Sequence, residues 1–94
     1  MSDAILRPRS IAVIGASRTP NTIGWQILDN LLRFGFNGPL FPVNPKADTI
    51  HSIRAYASVE AIPDPVDLAI VVVPKHLVQG IAEDCGRKGV KGWS

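Results

Sequence analysis

The sequence predicts an α/β protein with a Rossmann-like, three-layer fold around a mainly parallel sheet. Short apolar runs rich in β-branched residues alternate with segments of helical periodicity, and the runs are continuously apolar, as in strands buried on both faces. Strands and helices that alternate in this way form parallel βαβ units with right-handed crossovers. We count about four strands, fewer than the five or six of a full doubly wound sheet, and expect the fold to be truncated before its last strands.

A strand and a helix are predicted in the first third of the chain. The run "SIAVIG" at residues 10–15 is typical of a buried strand. Apolar residues then recur at helical spacing over residues 23–32, with Thr22 or Asn21 as the N-cap and Gly35 as the stop. The loop between the two elements therefore follows the carboxyl end of a strand.

The middle of the chain is less regular. The run "PLFPVN" at 39–44 predicts a strand that either ends early at Pro42 or has a free N–H side there, because proline lacks the donor that a strand pair uses. The prolines and polar residues that follow leave one short extended piece near residues 53–55 and one helical turn that begins at Ser58.

The clearest strand comes late. The run "DLAIVVV" at 67–73 is continuously apolar, and Pro74 ends it. Residues 76–88 predict a helix that finishes near two glycines, and "VKGWS" resembles the start of a further strand. The apolar face of this helix comprises Leu77, Val78, Ile81 and Cys85.

The composition is that of one small globular domain. The chain has 94 residues, of which 46% are apolar and 19% charged, and two independent domains of half that size would bury too little surface to be stable. Ten basic and eight acidic residues are spread without runs, so the net charge of +2 does not indicate nucleic-acid binding.

The sequence predicts neither secretion nor membrane insertion. The segment "MSDAILRPRS" lacks an apolar stretch long enough for a signal peptide, and the longest apolar run, "LAIVVV" at 68–73, is too short to span a bilayer. Cys85 is the only cysteine, which excludes an internal disulfide and is compatible with a reducing compartment. We therefore expect a cytoplasmic protein.

Three predicted loops follow the carboxyl ends of strands, at residues 15–18, 43–46 and 73–76. Open parallel sheets bind ligands at this end, so the three loops are expected to converge on one crevice. At the first loop, backbone N–H groups and the start of the next helix can face an anion. The side chains that add donors there are Ser17, Arg18 and Thr19.

The first loop departs from the usual dinucleotide pattern. In a G-x-G-x-x-G fingerprint that begins at Gly15, Ser17 and Pro20 occupy the places of the second and third glycines. Gly24 comes too late for either place and is expected to permit close approach of the helix to a strand or to a ligand. A Walker A loop is excluded because no G-K-[ST] follows.

The second loop indicates a ligand richer in phosphate than NAD. NAD-binding sheets carry an acidic residue at the end of the second strand, whereas this chain has Asn44 and Lys46 there, with Asp48 displaced beyond them. A lysine at this place attracts a phosphorylated ribose. Together with Arg18, it favours NADP or coenzyme A, with charge-assisted contacts of about 1.5 to 3 kcal/mol each where they are partly buried.

Four stretches carry a family resemblance: "SIAVIGAS", "NTIGWQILDNLLRFGFNGPLFPVNPK", "IPDPVDLAIVVVP" and "CGRKGVKG". They resemble the CoA-binding domain at the N-terminus of NDP-forming acyl-CoA synthetases, which include ADP-forming acetate–CoA ligase and the succinyl-CoA synthetase α subunit. The resemblance runs from about Leu6 to Gly92. Similar regions occur in bacterial protein lysine acetyltransferases and in short stand-alone CoA-binding proteins.

The resemblance implies that residues 1–94 are a CoA-binding domain and the N-terminal fragment of a longer ligase. Its ligand is then coenzyme A or acyl-CoA, and its partners are downstream domains or a second subunit, with an oligomer possible. The family's phosphate-carrying histidine belongs to the following domain, and neither His51 nor His76 lies in its motif, so binding without turnover is expected. The residues expected to bind the ligand are Gly15, Ser17, Arg18, Thr19, Gly24, Val43, Asn44, Lys46, Val73 and Pro74.

Two alternatives stay open beside the ligase module. One is an NAD(P)-binding Rossmann domain of an oxidoreductase or redox sensor, which the missing glycines and the missing acid disfavour. The other is a CoA-sensing module of a protein acetyltransferase, or a stand-alone CoA-binding protein.

Four further residues receive structural rather than catalytic interpretations. His51 is expected at the surface, and His76 either contacts the ligand or caps the helix that follows it. Cys85 is expected to be a small buried hydrophobe. Trp25 is expected to be packed or half-exposed, with the alternative that it covers the pocket.

Overall fold

The computed structural model describes residues 7–94. Leu6, where the family resemblance begins, and most of the segment "MSDAILRPRS" lie outside the described residues. The strands are β1 (Ile11–Ile14), β2 (Leu40–Val43), β3 (Thr49–Ile50), β4 (Ile53–Arg54), β5 (Leu68–Val71) and β6 (Gly92–Trp93); the helices are α1 (Ile23–Arg33) and α2 (Val78–Lys88), with 3₁₀ turns at Val59–Ala61 and Lys75–Leu77.

Four strands form one parallel sheet in the order β2-β1-β5-β6. Ile11 is in register with Leu40 on one side and with Leu68 on the other, so β1 is central. This confirms the prediction of an α/β fold with a mainly parallel sheet. The strands β3 and β4 form a separate antiparallel hairpin, of which the sequence predicted only the second strand.

The helices cover opposite faces of the sheet, which confirms the three layers. Ile11 and Val13 pack with Leu28 of α1, whereas Ala12 and Ile14 pack with Cys85 of α2. Successive residues of β1 point to opposite faces and are all buried, as expected of a central strand with both faces covered. The prediction that Cys85 is a small buried hydrophobe is confirmed.

Helix α1 begins and ends at the predicted signals. The Thr22 side chain accepts a hydrogen bond from the backbone N–H of Trp25 at 3.4 Å, which satisfies one free donor of the first turn. Gly35 adopts φ +70°, and the N–H of Phe36 donates to the carbonyl of Leu31 at 3.0 Å, closing the helix in the manner of a glycine C-cap.

Two strands differ in detail from their predictions. Strand β2 passes through Pro42, whose carbonyl accepts from the N–H of Tyr56 at 2.9 Å on the outer side, so the free N–H side was the correct alternative. Strand β5 ends at Val71, and the prediction that it runs on to Val73 was wrong. Val72 still donates to the carbonyl of Ile14, but the chain then turns into the loop that precedes Pro74.

The second helix is preceded by the 3₁₀ turn Lys75–Leu77, so the α-helical segment begins at Val78, two residues later than predicted. Leu77 therefore belongs to the 3₁₀ turn and not to α2, and it is 47% exposed, so its predicted place on the apolar face of the helix was wrong. Within residues 7–94, no helix is both long enough and apolar enough to cross a bilayer.

Side chains link the strands at the amino end of the sheet, where the parallel strands begin. One carboxylate oxygen of Asp67 accepts from the backbone N–H of Arg9 at 2.8 Å, and the other lies 3.4 Å from Nζ of Lys91. The Ser10 hydroxyl donates to the carbonyl of Pro65 and accepts from the N–H of Asp67, both at 3.0 Å. The Arg9 N–H, followed by Lys91, lowers the pKa of Asp67 against the opposing effect of burial.

Candidate functional site

Loops at the carboxyl end of the sheet enclose a cavity of 410 Å³. It lies where β1 and β5 are neighbours, and the chain leaves β1 for α1 on one face and β5 for α2 on the other. Open α/β sheets bind ligands at such a reversal of strand order. The cavity is lined by residues 14–17, 43–45, 57–59 and 72–74, with Leu77, Ile81 and Asp84.

The three loops expected to converge do so. The site residues that line the cavity are Gly15, Ser17, Val43, Asn44, Val73 and Pro74. Arg18, Thr19 and Lys46 are exposed and lie outside the lining, and Gly24 is buried. The ligand-binding roles of all ten residues stay predictions.

Gly15 and Gly24 allow backbone segments to approach closely. Gly15 has φ +97°, and a Cβ built on it would lie 1.9 Å from the carbonyl oxygen of Val72. A Cβ on Gly24 would lie 2.1 Å from the carbonyl oxygen of Gly15. Neither position accepts a side chain, because backbone atoms occupy the space. Gly24 therefore brings the start of α1 onto the end of β1, the first of the two alternatives predicted for it.

The loop between β1 and α1 is ordered by its own hydroxyls. The Ser17 hydroxyl accepts from the N–H of Thr19 at 3.0 Å, and the Thr22 hydroxyl donates to the carbonyl of Thr19 at 2.8 Å. The hydrogen bonds found among residues 7–94 leave the backbone N–H groups of Ser17 and Arg18 without an acceptor. These donors precede the start of α1, whose first turn has no acidic residue, so the local field favours an anion.

Asn44 joins two of the loops. Its Nδ2 donates to the carbonyl of Ala16 at 2.9 Å, and its Oδ1 accepts from the N–H of Lys46 at 2.7 Å. The side chain thereby holds the loop after β2 against the loop after β1. This explains why an amide suits a place where NAD-binding sheets carry an acid: a carboxylate has no N–H to donate to Ala16.

The surroundings of the cavity carry charges of opposite sign in different places. Lys46 and Arg18 are exposed, and no carboxylate of residues 7–94 lies within 4.0 Å of either. On the α2 side, Arg87 pairs with Asp84 and lies 3.3 Å from Glu60. The hydrogen bond with Glu60 contributes most to raising the pKa of Arg87. Two exposed cations therefore lie on two of the loops, and the carboxylate of Asp84 is part of the cavity lining.

Neither histidine lines the cavity. His51 lies in the β3–β4 turn at φ +54°, half-buried, with its ring centroid 5.0 Å from that of Trp25. Its Nε2 is buried without a hydrogen-bond partner among the described residues, so the expectation of an ordinary surface residue was wrong. Trp25 is half-exposed, as expected. His76 is exposed in the 3₁₀ turn and makes no capping hydrogen bond in the described structure.

Two parts of the lining were not predicted as ligand-binding. Residues 57–59 reach the cavity through the turn that Ser58 begins, where the Ser58 hydroxyl accepts from Ala61 at 3.3 Å. Ile81 and Asp84 reach it from α2. Ser58 was predicted as the start of that turn and Ile81 as part of an apolar helix face, but nothing local indicated that both border the same space.

Comparison with known proteins gives one consistent result. A family described as the CoA binding domain matches residues 9–93. The ADP-forming acetate–CoA ligase of Methanocaldococcus jannaschii is 48% identical over 85 residues, which are 90% of this chain and 12% of that protein. The solved apo structure of acetyl-coenzyme A synthetase 1 of Ca. Korarchaeum cryptofilum has 45% identity and a TM-score of 0.94 over 97% of this chain and 20% of that one.

A shorter solved protein is also similar. A conserved hypothetical protein of Pyrococcus furiosus has 36% identity and a TM-score of 0.82, over 90% of this chain and 72% of that one. The chain thus spans 12% to 20% of the two ligases above but most of this smaller protein. With a family match over residues 9–93, the expected fold and a cavity at the expected place, the chain belongs to the CoA-binding domain family, whose ligand is coenzyme A.

Proposed function

We propose that this chain is the CoA-binding module of an ADP-forming acyl-CoA ligase and holds coenzyme A at the carboxyl end of its sheet. The observation that carries the proposal is the cavity at the carboxyl ends of β1 and β5, with backbone donors that lack an acceptor among residues 7–94 and with exposed cations on the neighbouring loops. The similarity to ADP-forming acetate–CoA ligase supports the proposal that this module belongs to a ligase of that kind.

The phosphates of coenzyme A are assigned to the loop between β1 and α1. The N–H groups of Ser17 and Arg18 and the hydroxyl hydrogen of Ser17 are its donors, and the start of α1 adds a favourable dipole. Gly15 and Gly24 serve the site indirectly, because they allow the strand, loop and helix to lie close enough for these donors to converge.

The ribose phosphate that distinguishes coenzyme A from NAD is assigned to Lys46 and Arg18. Both are exposed cations, and no carboxylate of residues 7–94 pairs with them, so a bound phosphate meets no competing partner there. The second loop holds Lys46 in place through the hydrogen bond from its N–H to Asn44. Val43, Val73 and Pro74 then line the apolar part of the ligand's path.

This chain is proposed to bind and not to turn over its ligand. The resemblance to NDP-forming acyl-CoA synthetases implies that the phosphate-carrying histidine belongs to another domain, and His51 and His76 do not line the cavity.

Isothermal titration of the 94-residue chain with CoA, dephospho-CoA, NAD and NADP tests the proposal. CoA is expected to bind most tightly, and dephospho-CoA about tenfold or more weakly, since one charge-assisted contact contributes about 1.5 kcal/mol or more. NAD binding as tight as CoA binding would overturn it. Equal affinity for CoA and dephospho-CoA would contradict the roles assigned to Lys46 and Arg18, and CoA would remain the proposed ligand.

A second candidate function is CoA sensing by a short protein or by a regulatory region. It is favoured by the small hypothetical protein of Pyrococcus furiosus, 72% of which this chain covers. Both candidates share the ligand and the site. The sequence that follows residue 94 in the gene separates them, since an ATP-grasp domain would support the ligase, an acetyltransferase domain protein acetylation, and a stop codon a stand-alone binder.

A further inference from the structure

The lining of the cavity includes a carboxylate on α2 that the proposed function does not use. Asp84, on α2, lines the cavity, and its side chain is 28% exposed. Arg87 donates to Oδ1, and the described contacts leave Oδ2 without a donor. One acceptor atom is thus available to a ligand.

The charge of Asp84 restricts what can lie beside it. A carboxylate in a partly enclosed cavity repels phosphate, so the anionic part of a ligand belongs at the loop between β1 and α1, where backbone donors lack acceptors among residues 7–94. The group that reaches Asp84 is therefore one that carries an N–H or O–H donor and no negative charge.

The walls next to Asp84 are apolar. Val59 approaches from the 3₁₀ turn, and Leu77 and Ile81 come from the α2 side. Leu77 is 47% exposed, so part of its side chain is accessible to a ligand in the cavity. A space bordered by aliphatic side chains with one acceptor at its end suits a flat heterocycle with an exocyclic amino group.

We propose that the adenine base of coenzyme A occupies this apolar space and that its 6-amino group donates to Oδ2 of Asp84, which selects adenine over 6-oxo purines. The inference rests on the proposed function and deepens it. A 6-oxo purine would place a carbonyl oxygen against the carboxylate, so the same atom that attracts adenine repels hypoxanthine and guanine.

Arg87 acts as a positioning residue for this contact. It binds Asp84 and Glu60 at once, and Glu60 belongs to the 3₁₀ turn Val59–Ala61. The two salt bridges thereby orient the side chain of Asp84 and connect α2 to the 3₁₀ turn Val59–Ala61, which also lines the cavity. With Oδ1 held by Arg87, Oδ2 is the atom left to face the ligand.

The test compares CoA with its 6-deaminated analogue, in which hypoxanthine replaces adenine, by isothermal titration of the 94-residue chain. The wild type is expected to bind CoA about 10- to 100-fold more tightly than the analogue, the range of one charged hydrogen bond. In Asp84→Asn, whose amide can donate to a 6-oxo group, the preference is expected to fall below about threefold. Equal binding of the two ligands by the wild type would overturn the inference.

Glu83→Gln is the matched control, because it removes a negative charge from the neighbouring position of α2, which is exposed and outside the lining. It is expected to keep the wild-type preference, and a loss equal to that in Asp84→Asn would show a general charge effect and overturn the inference. If Asp84→Asn does not fold, the comparison of the two ligands on the wild type still decides.

Two fragments locate the contact along the ligand. Asp84→Asn is expected to weaken 3′,5′-ADP, which contains adenine, and to leave 4′-phosphopantetheine unchanged. The reverse pattern would mean that Asp84 faces the pantetheine arm and would overturn the assignment to adenine. Absence of any CoA binding by the wild type would overturn the proposed function together with this inference, whereas CoA binding without base preference overturns the inference alone.

Discussion

The two ends of the parallel sheet differ in how their polar groups are satisfied. At the amino end, Ser10 and Asp67 bond to backbone groups of neighbouring segments, and Asp67 also pairs with Lys91. At the carboxyl end, N–H groups of the first loop lack acceptors among residues 7–94, and Lys46 is exposed without a carboxylate partner there. The side chains of Ser10 and Asp67 at the amino end are thus satisfied by groups of this chain, whereas the carboxyl end has donors and cations available to a ligand.

This difference separates stability from binding along the axis of the strands. Substitutions that remove side-chain contacts at the amino end are expected to lower the free energy of unfolding without changing affinity for CoA. Substitutions of the exposed cations at the carboxyl end are expected to lower affinity for CoA without changing the free energy of unfolding. The glycines of the carboxyl end are the exception, because their backbone geometry serves both properties.

The largest effect is expected for Gly15→Val, which breaks the separation. A Cβ at this position meets the Val72 carbonyl oxygen at 1.9 Å, and the backbone has φ +97°, so both overlap and strain oppose the side chain. The free energy of unfolding is expected to fall by about 3 kcal/mol or more, and CoA binding to be lost. Urea denaturation followed by circular dichroism measures the first, and a stability close to that of the wild type would contradict the described geometry.

Asp67→Ala is expected to have the next largest effect and to confine it to stability. The N–H of Arg9 loses a charged acceptor, which lowers the free energy of unfolding by about 1.5 to 3 kcal/mol. CoA affinity, measured by titration at a temperature where the variant is folded, is expected to match that of the wild type. A large loss of affinity would show that the two ends of the sheet are coupled.

The contribution of Asp67 is also expected to depend on pH. Its pKa in the folded chain lies below the ordinary value of 3.8, so the folded state binds the proton less readily than the unfolded state does. The stabilisation is therefore complete above about pH 4 to 5 and is lost as the pH falls through the folded pKa. Thermal melts from pH 7 to pH 2 are expected to show a smaller acid-induced loss for Asp67→Asn than for the wild type.

Lys46→Ala is expected to affect binding alone. The lysine is exposed and pairs with no described carboxylate, so the free energy of unfolding should stay within about 0.5 kcal/mol of the wild type. Affinity for CoA is expected to fall by about 1 to 2 kcal/mol, and affinity for dephospho-CoA to change little. Arg33→Ala, at the far end of α1, controls for loss of one positive charge; an equal loss of affinity in both variants would exclude a specific contact.

Gly80→Ala is expected to have the smallest effect and to show that glycine at this end of the molecule is not required in general. Gly80 lies within α2, with open space where its Cβ would be. Alanine is expected to stabilise the chain by about 0.5 to 1 kcal/mol, because it restricts the unfolded backbone and suits a helix. A thermal melt measures the gain. A melting temperature below that of the wild type would mean that the added Cβ meets a neighbouring segment, which would contradict the open space at this position.

The parts of the fold that local chemistry determines were predictable from the sequence. Thr22 marks the start of α1, Gly35 marks its end, and Ser58 begins the 3₁₀ turn Val59–Ala61. These signals are local, because caps and left-handed glycines act on adjacent backbone groups. The end of β5 was not predictable, since Val72 and Val73 extend the apolar run. The strand ends where its ladder with β1 ends, at the pair of Ile14 and Val71. Strand β3 was missed because two residues carry no periodic signal.

The same distinction applies to the site. Gly15, Ser17 and Asn44 were predictable because each follows a recognisable strand, and carboxyl ends of parallel strands share one location. Asp84 was not, because it is one of several charged residues on an amphipathic helix, and its place beside the cavity depends on how α2 packs on the sheet. His51 was misjudged because its contact with Trp25 joins segments that are distant in sequence.

The central position of β1 has a consequence for the time course of folding. Its second partner, β5, starts beside Asp67, which comes 57 residues after Ser10. During synthesis or refolding, β1, α1 and β2 can associate early, but one side of β1 then has unpaired backbone groups until most of the chain is available. We therefore expect slow formation of the β1–β5 pair to limit the folding rate, and aggregation of this chain to begin from that open strand.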